Sequence, residues 1–325
     1  MSPPFPRIRL YSSQSGQERL VRREVIRLVL HLPLDHYDLS VPVRQALDLY
    51  LSTINQGPEV LSDWYDLETE PFPQDEESWE IIRAVMAPPR GDRFLDDTQN
   101  PQDVHRYIKN QFERAVELSG GTTGVSGYGF FYRARLPWRH PRDTVSLVSF
   151  SWPTEYLEEQ GPKRMRELIL ELASSLPFSS GHAGLAFSST NPFTSSLGEI
   201  REEAFRYPGI DVTHGCTSLG HRIDGVHWIN LLGPSVLGEV GGINGLHDRL
   251  CSPGTHLQEL ERGRAVVTLG EWPRAGDISR GDSLPDHREL ARALEPWLST
   301  CPDGYTLEGA SPSETRTWWR RFLDS

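Results

Sequence analysis

The sequence predicts an α+β fold, with a mixed or largely antiparallel sheet, helices packed on one face, and possibly two α/β sub-halves. Two runs rich in β-branched and aromatic residues, 128–137 and 144–153, are joined by a short polar link and therefore predict paired antiparallel strands. A run with helical spacing follows at 162–176, and a third strand is predicted at 182–190. Neighbouring strands followed by a helix and another strand are typical of helices that lie against a sheet.

The N-terminal elements follow from the hydrophobic pattern. Residues 25–32, VIRLVLHL, are a branched apolar run that predicts a buried strand. Pro42 suits an early position in a helix that extends to Ile54. Asn100, as an N-cap, predicts a second helix through Leu118, before a glycine-rich link. That link lacks the Gly-Lys-Ser/Thr of a phosphate-binding loop.

The C-terminal elements carry clear start and stop signals. Residues 196–207 predict an exposed helix, and Pro234 begins a short helix that Gly241 and Gly242 end. Residues 257–261 and 264–272 predict a hairpin that turns at Arg262 and Gly263. Ser283 is the predicted N-cap of a last helix, on which Leu290 and Leu294 share one face.

The length of 325 residues allows one large domain or two smaller ones. Hydrophobic residues make up 37% of the chain, which is enough to build a core and is not typical of disorder. We predict an N-terminal strand–helix region over 1–120 and an α+β region over 121–325. A single compact domain over 22–300 is the alternative.

Charge and cysteine content limit the classes of function. A net charge of −12 argues against a protein that binds the phosphate backbone of nucleic acids and favours a basic protein partner, although many soluble proteins are equally acidic. Cys216, Cys251 and Cys301 are far apart and form no CxxC pair, so we expect a reducing compartment without disulfides. The sequence shows no signal peptide and no membrane-spanning run, which predicts a cytoplasmic protein.

Residues 59–80 contain nine acidic residues and no Lys or Arg, interleaved with aromatic residues. Aromatic side chains supply contact area and surrounding charge steers encounter, so the segment predicts a surface for a basic partner. The predicted partner-binding residues are Trp64, Tyr65, Asp66, Glu68, Glu70, Asp75, Glu76, Glu77 and Trp79. The alternative is a solvated loop whose aromatic residues pack into the core.

The search for catalytic patterns gives little support for an enzyme. GVSGY at 124–128 lacks the last glycine of a nucleophile elbow, and no cysteine has a recognisable base partner. His214, His221 and His227, with Asp211 and Asp224, form a local group of metal-ligand residue types but match no known ligand spacing. We therefore predict no catalytic residues, no cofactor and no metal. A hydrolase or metalloenzyme centred on these histidines is kept as the alternative.

The C-terminal part resembles the type VI secretion immunity family that is found beside VRR-NUC and other toxic effectors. The resemblance rests on WINLLG at 228–233, on the glycine pair at 241–242 and on PRAGD at 273–277, together with the strand at 182 and the helix at 286–298. The motif residues that we expect to hold the scaffold are Trp228, Gly233, Gly241, Gly242, Pro273, Gly276 and Asp277. Residues 59–80 and the tail 301–325 have no counterpart in the resemblance.

The resemblance implies a non-enzymatic antitoxin that binds a cognate toxic effector, encoded by a neighbouring gene, in the cytoplasm and blocks its active site. A nuclease is the first expectation for the effector. An adaptor of a secretion system is a further alternative. Because immunity proteins discriminate among toxins, we expect recognition to lie in exposed loops and in the acidic segment instead of the shared motifs.

Overall fold

The computed structural model describes residues 5–14, 17–57, 60–65, 72–73, 75–88, 115–121, 125–135, 144–189, 197–213, 219–302, 304–307 and 309–324. Within them lie eleven strands and eight α-helices. The strands are β1 (Arg9–Gln14), β2 (Gln17–Leu32), β3 (Asp63–Tyr65), β4 (Phe72–Pro73), β5 (Ala115–Ser119), β6 (Gly129–Arg133), β7 (Ser146–Pro153), β8 (Ser180–Ser189), β9 (Ile229–Leu232), β10 (Thr255–Leu260) and β11 (Arg264–Leu269). The helices are α1 (His36–Thr53), α2 (Glu76–Val85), α3 (Thr154–Ser174), α4 (Leu197–Arg206), α5 (Pro234–Glu239), α6 (Gly242–His247), α7 (Pro285–Leu294) and α8 (Pro312–Trp319).

All the named strands belong to one sheet, in the order β10-β11-β9-β8-β2-β7-β6-β5-β3-β4, with β1 paired to β2. Every pairing between these strands is antiparallel, so the predicted α+β class with a largely antiparallel sheet is confirmed. The long strand β2 lies at the centre, between β7 and β8. It comes from the predicted region 1–120, whereas its neighbours come from 121–325. The division at residue 120 stays a prediction, and this pairing favours the single-domain alternative.

Alternation along β2 separates the two faces of the sheet. Ile26, Leu28 and Leu30 point to one face, where they belong to a large core with residues of α1 and α3. The residues between them, such as Val29 and His31, point to the opposite face and are also buried. Burial on both faces explains why this strand reads as a nearly continuous apolar run.

A second core lies on the opposite face, at the C-terminal end of the sheet. Leu232 of β9 and Val267 of β11 belong to it, together with residues of α5, α6 and α7. These strands contribute their alternate residues, Leu231 and Val266, to the first core. The C-terminal strands are therefore covered on both faces, by the first core on one and by α5, α6 and α7 on the other.

Several predicted elements are confirmed. The strand at 25–32 is part of β2, and the two β-rich runs at 128–137 and 144–153 contain the paired strands β6 and β7. The hairpin of β10 and β11 turns at Arg262 and Gly263, both with positive φ (62° and 65°). The short helix at Pro234 and the strand at 182–190 are also present, as α5 and β8.

Other predicted boundaries were wrong. Helix α1 begins at His36 instead of near Pro42, because the Asp35 carboxylate caps it by accepting a hydrogen bond from the Tyr37 amide. Residues 115–118 form strand β5 and no helix, while residues 100–114 lie outside the described part. The N-cap of α7 is Leu284, with φ 50°, and not Ser283. Leu284 is fully buried, so packing of its side chain replaces a polar cap.

Candidate functional site

The predicted acidic segment divides between the core and the surface. Trp64, in β3, is only 5% exposed and belongs to the large core, so for this residue the alternative of a core aromatic holds. Tyr65 also lies in β3. Trp79 is half-buried against the same core. Asp66, Glu68 and Glu70 lie outside the described residues.

The remaining acidic residues begin helix α2. Asp75 is the N-cap and accepts a hydrogen bond from the Ser78 amide at 2.9 Å, which lowers the pKa of its carboxyl. Glu76 and Glu77 follow in the first turn and are exposed. Carboxylates stabilise a helix N-terminus, so these three residues have a structural role as well as a surface charge.

Exposed apolar side chains also occur on the two helices α1 and α2. Three large hydrophobic side chains in the described part are notably exposed on α1 and α2: Tyr37 at 43%, Val41 at 45% and Ile81 at 43%. The His36 ring lies 3.0 Å from the Ala87 carbonyl oxygen, which places the start of α1 beside the C-terminal end of α2. We use the name acidic edge for the exposed residues Tyr37, Asp38, Val41, Glu76, Glu77, Glu80 and Ile81.

The predicted group of histidines does not come together as expected. His214 lies outside the described residues, and His221 is exposed in a turn. His227 is buried, and its partners are His182 of β8 and Asp211. His182 Nε2 lies 3.3 Å from Asp211 Oδ2, and the rings of His182 and His227 stack with centroids 3.9 Å apart. These three residues, His182, Asp211 and His227, form what we call the buried cluster.

Sheet pairing assembles the buried cluster. His182 is opposite Val29 of β2 on one side and Asn230 of β9 on the other, so it points to the face away from α1. Asp211 arrives through a bridge between its backbone and that of Ala186. His227 lies two residues before the start of β9. Its amide donates to the Asn230 side-chain oxygen at 2.9 Å, which fixes this turn.

The Asp211 carboxylate is stabilised in its ionised form. Its Oδ1 accepts hydrogen bonds from the Thr213 amide (2.8 Å) and hydroxyl (2.7 Å), and the Arg27 guanidinium lies 4.0 Å from Oδ2. Burial opposes ionisation, but the hydrogen bond with His182 and the nearby positive charge hold the pKa of Asp211 well below its usual range. The buried carboxylate is therefore compensated from within the chain.

Burial keeps His31, His227 and His287 neutral. Burial lowers the pKa of His31 to about 3, and that of His227 well below its usual value. Burial also lowers the pKa of His287 to about 3. A neutral imidazole can bind a metal, so the ligand geometry decides whether the cluster suits one.

The donor atoms of His182, Asp211 and His227 lie within 4.8 Å of one another, a spacing that a metal ion could bridge. However, the two imidazole rings are nearly parallel, at 17°. A metal binds imidazole nitrogen in the ring plane at about 2.1 Å, and two stacked planes cannot both meet this condition at one ion. The Arg27 guanidinium beside Asp211 also competes with a cation. The geometry thus favours a hydrogen-bonded core over a metal centre, and it gives no support to the metalloenzyme alternative.

Asp224, next to the cluster, is different. Both of its carboxylate oxygens are buried without a hydrogen-bond partner. Burial raises the pKa of Asp224 to about 6; the negative charge of Asp211 adds to this shift, and the positive charge of Arg321 opposes it. Asp224 lies at the wall of a cavity of about 300 Å³ near the C-terminal segment. It is the clearest unsatisfied charge that the sequence did not reveal.

The motif residues have structural contacts. Trp228 is 2% exposed and donates from Nε1 to the Gly270 carbonyl at 3.2 Å. A Cβ on Gly233 would lie 2.2 Å from the Ser179 carbonyl oxygen, so only glycine fits there. Gly241, Gly242 and Gly276 have positive φ, and Pro273 is buried. Asp277 pairs with Arg206 at 3.0 Å and caps a short 3₁₀ turn.

No helix among the described residues is both long and apolar enough to cross a membrane. The structure is similar in fold to a type VI secretion system (T6SS) protein of Pseudomonas aeruginosa, PA0821, with a TM-score of 0.69 and 19% sequence identity. The similarity covers 95% of this chain and 85% of that one. No curated protein matches the sequence.

The model of one protein family, TsiV, described as type VI immunity for VRR-NUC, matches residues 89–322. The match includes all the motif residues and the buried cluster. It also reaches through most of the tail, so the expectation that 301–325 has no counterpart was wrong for 301–322. The acidic edge lies outside the match. Because the match covers most of the chain, the protein belongs to the TsiV family of type VI immunity proteins.

Proposed function

We propose that this protein is a cytoplasmic, non-enzymatic antitoxin that binds a cognate type VI effector and neutralises it by covering its active site. The observation that carries the proposal is the family match over residues 89–322. The family description names VRR-NUC, so a nuclease is the first candidate for the effector.

The chemistry of the described residues supports a role in binding. All three residues of the buried cluster are inaccessible to solvent, and burial lowers the pKa of His227 well below its usual value. A general acid or base must reach a substrate proton within hydrogen-bond distance. These groups are buried against β2 and β9, which does not favour such a role.

The acidic edge supports a basic partner. Exposed carboxylates and three exposed apolar side chains occur together on α1 and α2, a composition that combines steering charge with contact area. An effector that acts on nucleic acid needs a basic surface to contact phosphates. An acidic protein that covers this surface would associate quickly and exclude the substrate.

The proposal is tested by co-expression with the toxic protein encoded by the neighbouring gene. We expect growth to be restored only when this chain is present, and the two purified proteins to form a stable complex. If the toxin kills equally with and without this chain, and no complex forms, the proposal fails. A complex with a secretion-apparatus component, without protection, would indicate the adaptor alternative.

A nuclease assay identifies the mode of inhibition. If the antitoxin covers the active site, it should compete with nucleic acid for the purified effector, and added nucleic acid should slow formation of the complex. Inhibition that is insensitive to nucleic acid concentration would contradict occlusion and would leave binding at another surface.

A further inference from the structure

A cleft of about 600 Å³ opens at one rim of the sheet, and none of the acidic-edge residues lines it. The end of β2, the start of β8, the end of β9 and the turn between β10 and β11 all meet there. Leu34 and Phe178 form part of its apolar wall. A concave site of this size, with apolar walls and few polar groups, is typical of small-molecule binding.

The charge of this rim cleft is opposite to that of the protein. Arg135, Arg262, Arg264 and His221 line it, and none of the described residues that line it is Asp or Glu. The whole chain has 45 acidic residues against 33 Lys and Arg. A positive concavity in so acidic a protein concentrates anions locally, because low-dielectric walls focus the field.

Two of the arginines have donors to spare. Within the described residues, the Arg135 side chain donates one hydrogen bond, to the Thr144 carbonyl at 3.4 Å, and its Nε is buried without a partner. Arg262 is exposed at the tip of the hairpin, and in the described part of the chain it forms no hydrogen bond or ion pair. Its backbone is left-handed, with φ 62°, which is unfavourable for a residue with a side chain.

The third arginine supplies a buried positive charge. Arg264 is 5% exposed, stacks on the Phe178 ring at 4.8 Å and donates to the carbonyls of Glu261 (3.0 Å) and Leu176 (2.9 Å). Among the described residues no carboxylate pairs with it. Burial lowers the pKa of its guanidinium, and the neighbouring Arg262 lowers it further. A bound anion would relieve both effects.

We propose that the rim cleft binds an oxyanion, a phosphate or carboxylate group, through Arg135 and Arg262 and in the field of Arg264. Guanidinium groups match the planar, paired acceptors of such groups. The apolar wall at Leu34 and Phe178 would contact the rest of the molecule that carries the anion. That molecule is either a free small molecule or an acidic side chain of a protein partner.

Inorganic phosphate is the probe for the first test. Binding is measured by calorimetry on the full chain, with chloride at equal ionic strength as the reference. We expect saturable phosphate binding that the double variant Arg135→Gln/Arg262→Gln weakens by about tenfold or more. The control Arg280→Gln, which alters an arginine with an 81% exposed side chain outside the cleft, should bind phosphate like the wild type.

Absence of saturable binding, or equal binding by the double variant and the wild type, overturns the proposal. The single variant Arg262→Gln separates loss of binding from loss of fold, because the Arg262 side chain is exposed and has no partner among the described residues. It should weaken phosphate binding by itself while circular dichroism stays unchanged. An unchanged phosphate affinity in this properly folded variant would count against the site.

A second measurement distinguishes the two sources of the anion. If a partner's acidic side chain occupies the cleft, phosphate should compete with formation of the effector complex, and the double variant should weaken that complex. If a free anion occupies it, both measurements should leave the complex unchanged while phosphate still binds. Protection against the toxin tests the proposed function separately, so the anion site and the antitoxin function can each fail without the other.

Discussion

The buried cluster lies inside the residues that match the family, whereas the acidic edge lies outside them. In the cluster, the Asp211 carboxylate interacts inside the fold with Thr213, His182 and Arg27. On the edge, Glu77 and Glu80 are exposed beside Ile81, and their charges are available to another molecule. We propose that the matched region builds the fold and that the acidic edge recognises the effector.

The largest effect is expected at the buried cluster. Asp211→Ala removes the carboxylate and leaves the Arg27 charge and the His182 ring without their partner. We expect a loss of about 3–5 kcal/mol in the free energy of unfolding, measured with urea at neutral pH. The control Asp248→Ala alters an exposed carboxylate and should change stability by less than about 0.5 kcal/mol. A similar small loss for Asp211→Ala would show that the cluster is not part of the frame.

A pH-dependent effect is expected at Asp224. Its pKa in the fold is about 6, against 3.8 for an ordinary Asp, so the native state resists ionisation. Stability from this group is fully present below about pH 4 and is lost as the pH rises through 6. By linkage, ionisation of Asp224 lowers the unfolding free energy of the wild type by about 3 kcal/mol over this pH range. The variant Asp224→Asn has no such loss.

The measurement is the difference in unfolding free energy between Asp224→Asn and the wild type across this pH range. As the pH rises, the variant should become more stable relative to the wild type, because Asn carries no charge. The buried histidines act in the opposite direction, since their stability is lost as the pH falls below 6.5, but they are common to both proteins and cancel. A difference that is independent of pH would show that Asp224 is solvated or paired.

A smaller effect tests the motif glycines. Gly233→Ala would force a methyl group to within 2.2 Å of the Ser179 carbonyl oxygen, and we expect a loss of about 1–3 kcal/mol from the resulting strain. Gly238, in the adjacent helix α5, has open space around its Cα. Gly238→Ala is the matched control and should stabilise the protein by about 0.5–1 kcal/mol. Equal changes in unfolding free energy at both positions would show that the close contact at Gly233 does not matter for the fold.

The sequence predicted the parts of the fold that local patterns control. The apolar run of β2, the strands β6 and β7 and the hairpin at Arg262 were all visible in the spacing of residues. The error at 115–118 arose because AVEL fits a helix as well as a strand, and pairing with β6 decides between them. The start of α1 depended on the Asp35 cap, which lies one turn before the apolar periodicity.

The site was less predictable, because its parts are distant in sequence. His182, Asp211 and His227 meet only through the register of β8 with its neighbours, and of the predicted histidines that the structure describes only His227 takes part. The one available signal was the strand alternation, which places His182 on a buried face. The rim cleft is formed by the ends of several strands, so no local pattern could reveal it.

Charge-reversal variants are expected to change stability least, and they test effector binding most directly. Glu76→Lys/Glu77→Lys/Glu80→Lys reverses three exposed charges of the acidic edge. Glu259→Lys/Glu261→Lys/Glu271→Lys does the same at exposed positions around β10 and β11, at the other end of the sheet. Both variants change the net charge equally, from −12 by +6 (three substitutions of +2 each). The control variant should unfold like the wild type. The acidic-edge variant should lose about 1 kcal/mol in unfolding free energy, because Glu76 and Glu77 stabilise the first turn of α2.

The association rate of these three proteins with the purified effector, measured by stopped flow at low and high salt, tests the central claim most directly. We expect reversal at the acidic edge to slow association by about tenfold at low salt and to reduce the salt dependence, because it removes local steering. The control variant should associate nearly as fast as the wild type. Equal rates for both variants would contradict recognition through the acidic edge.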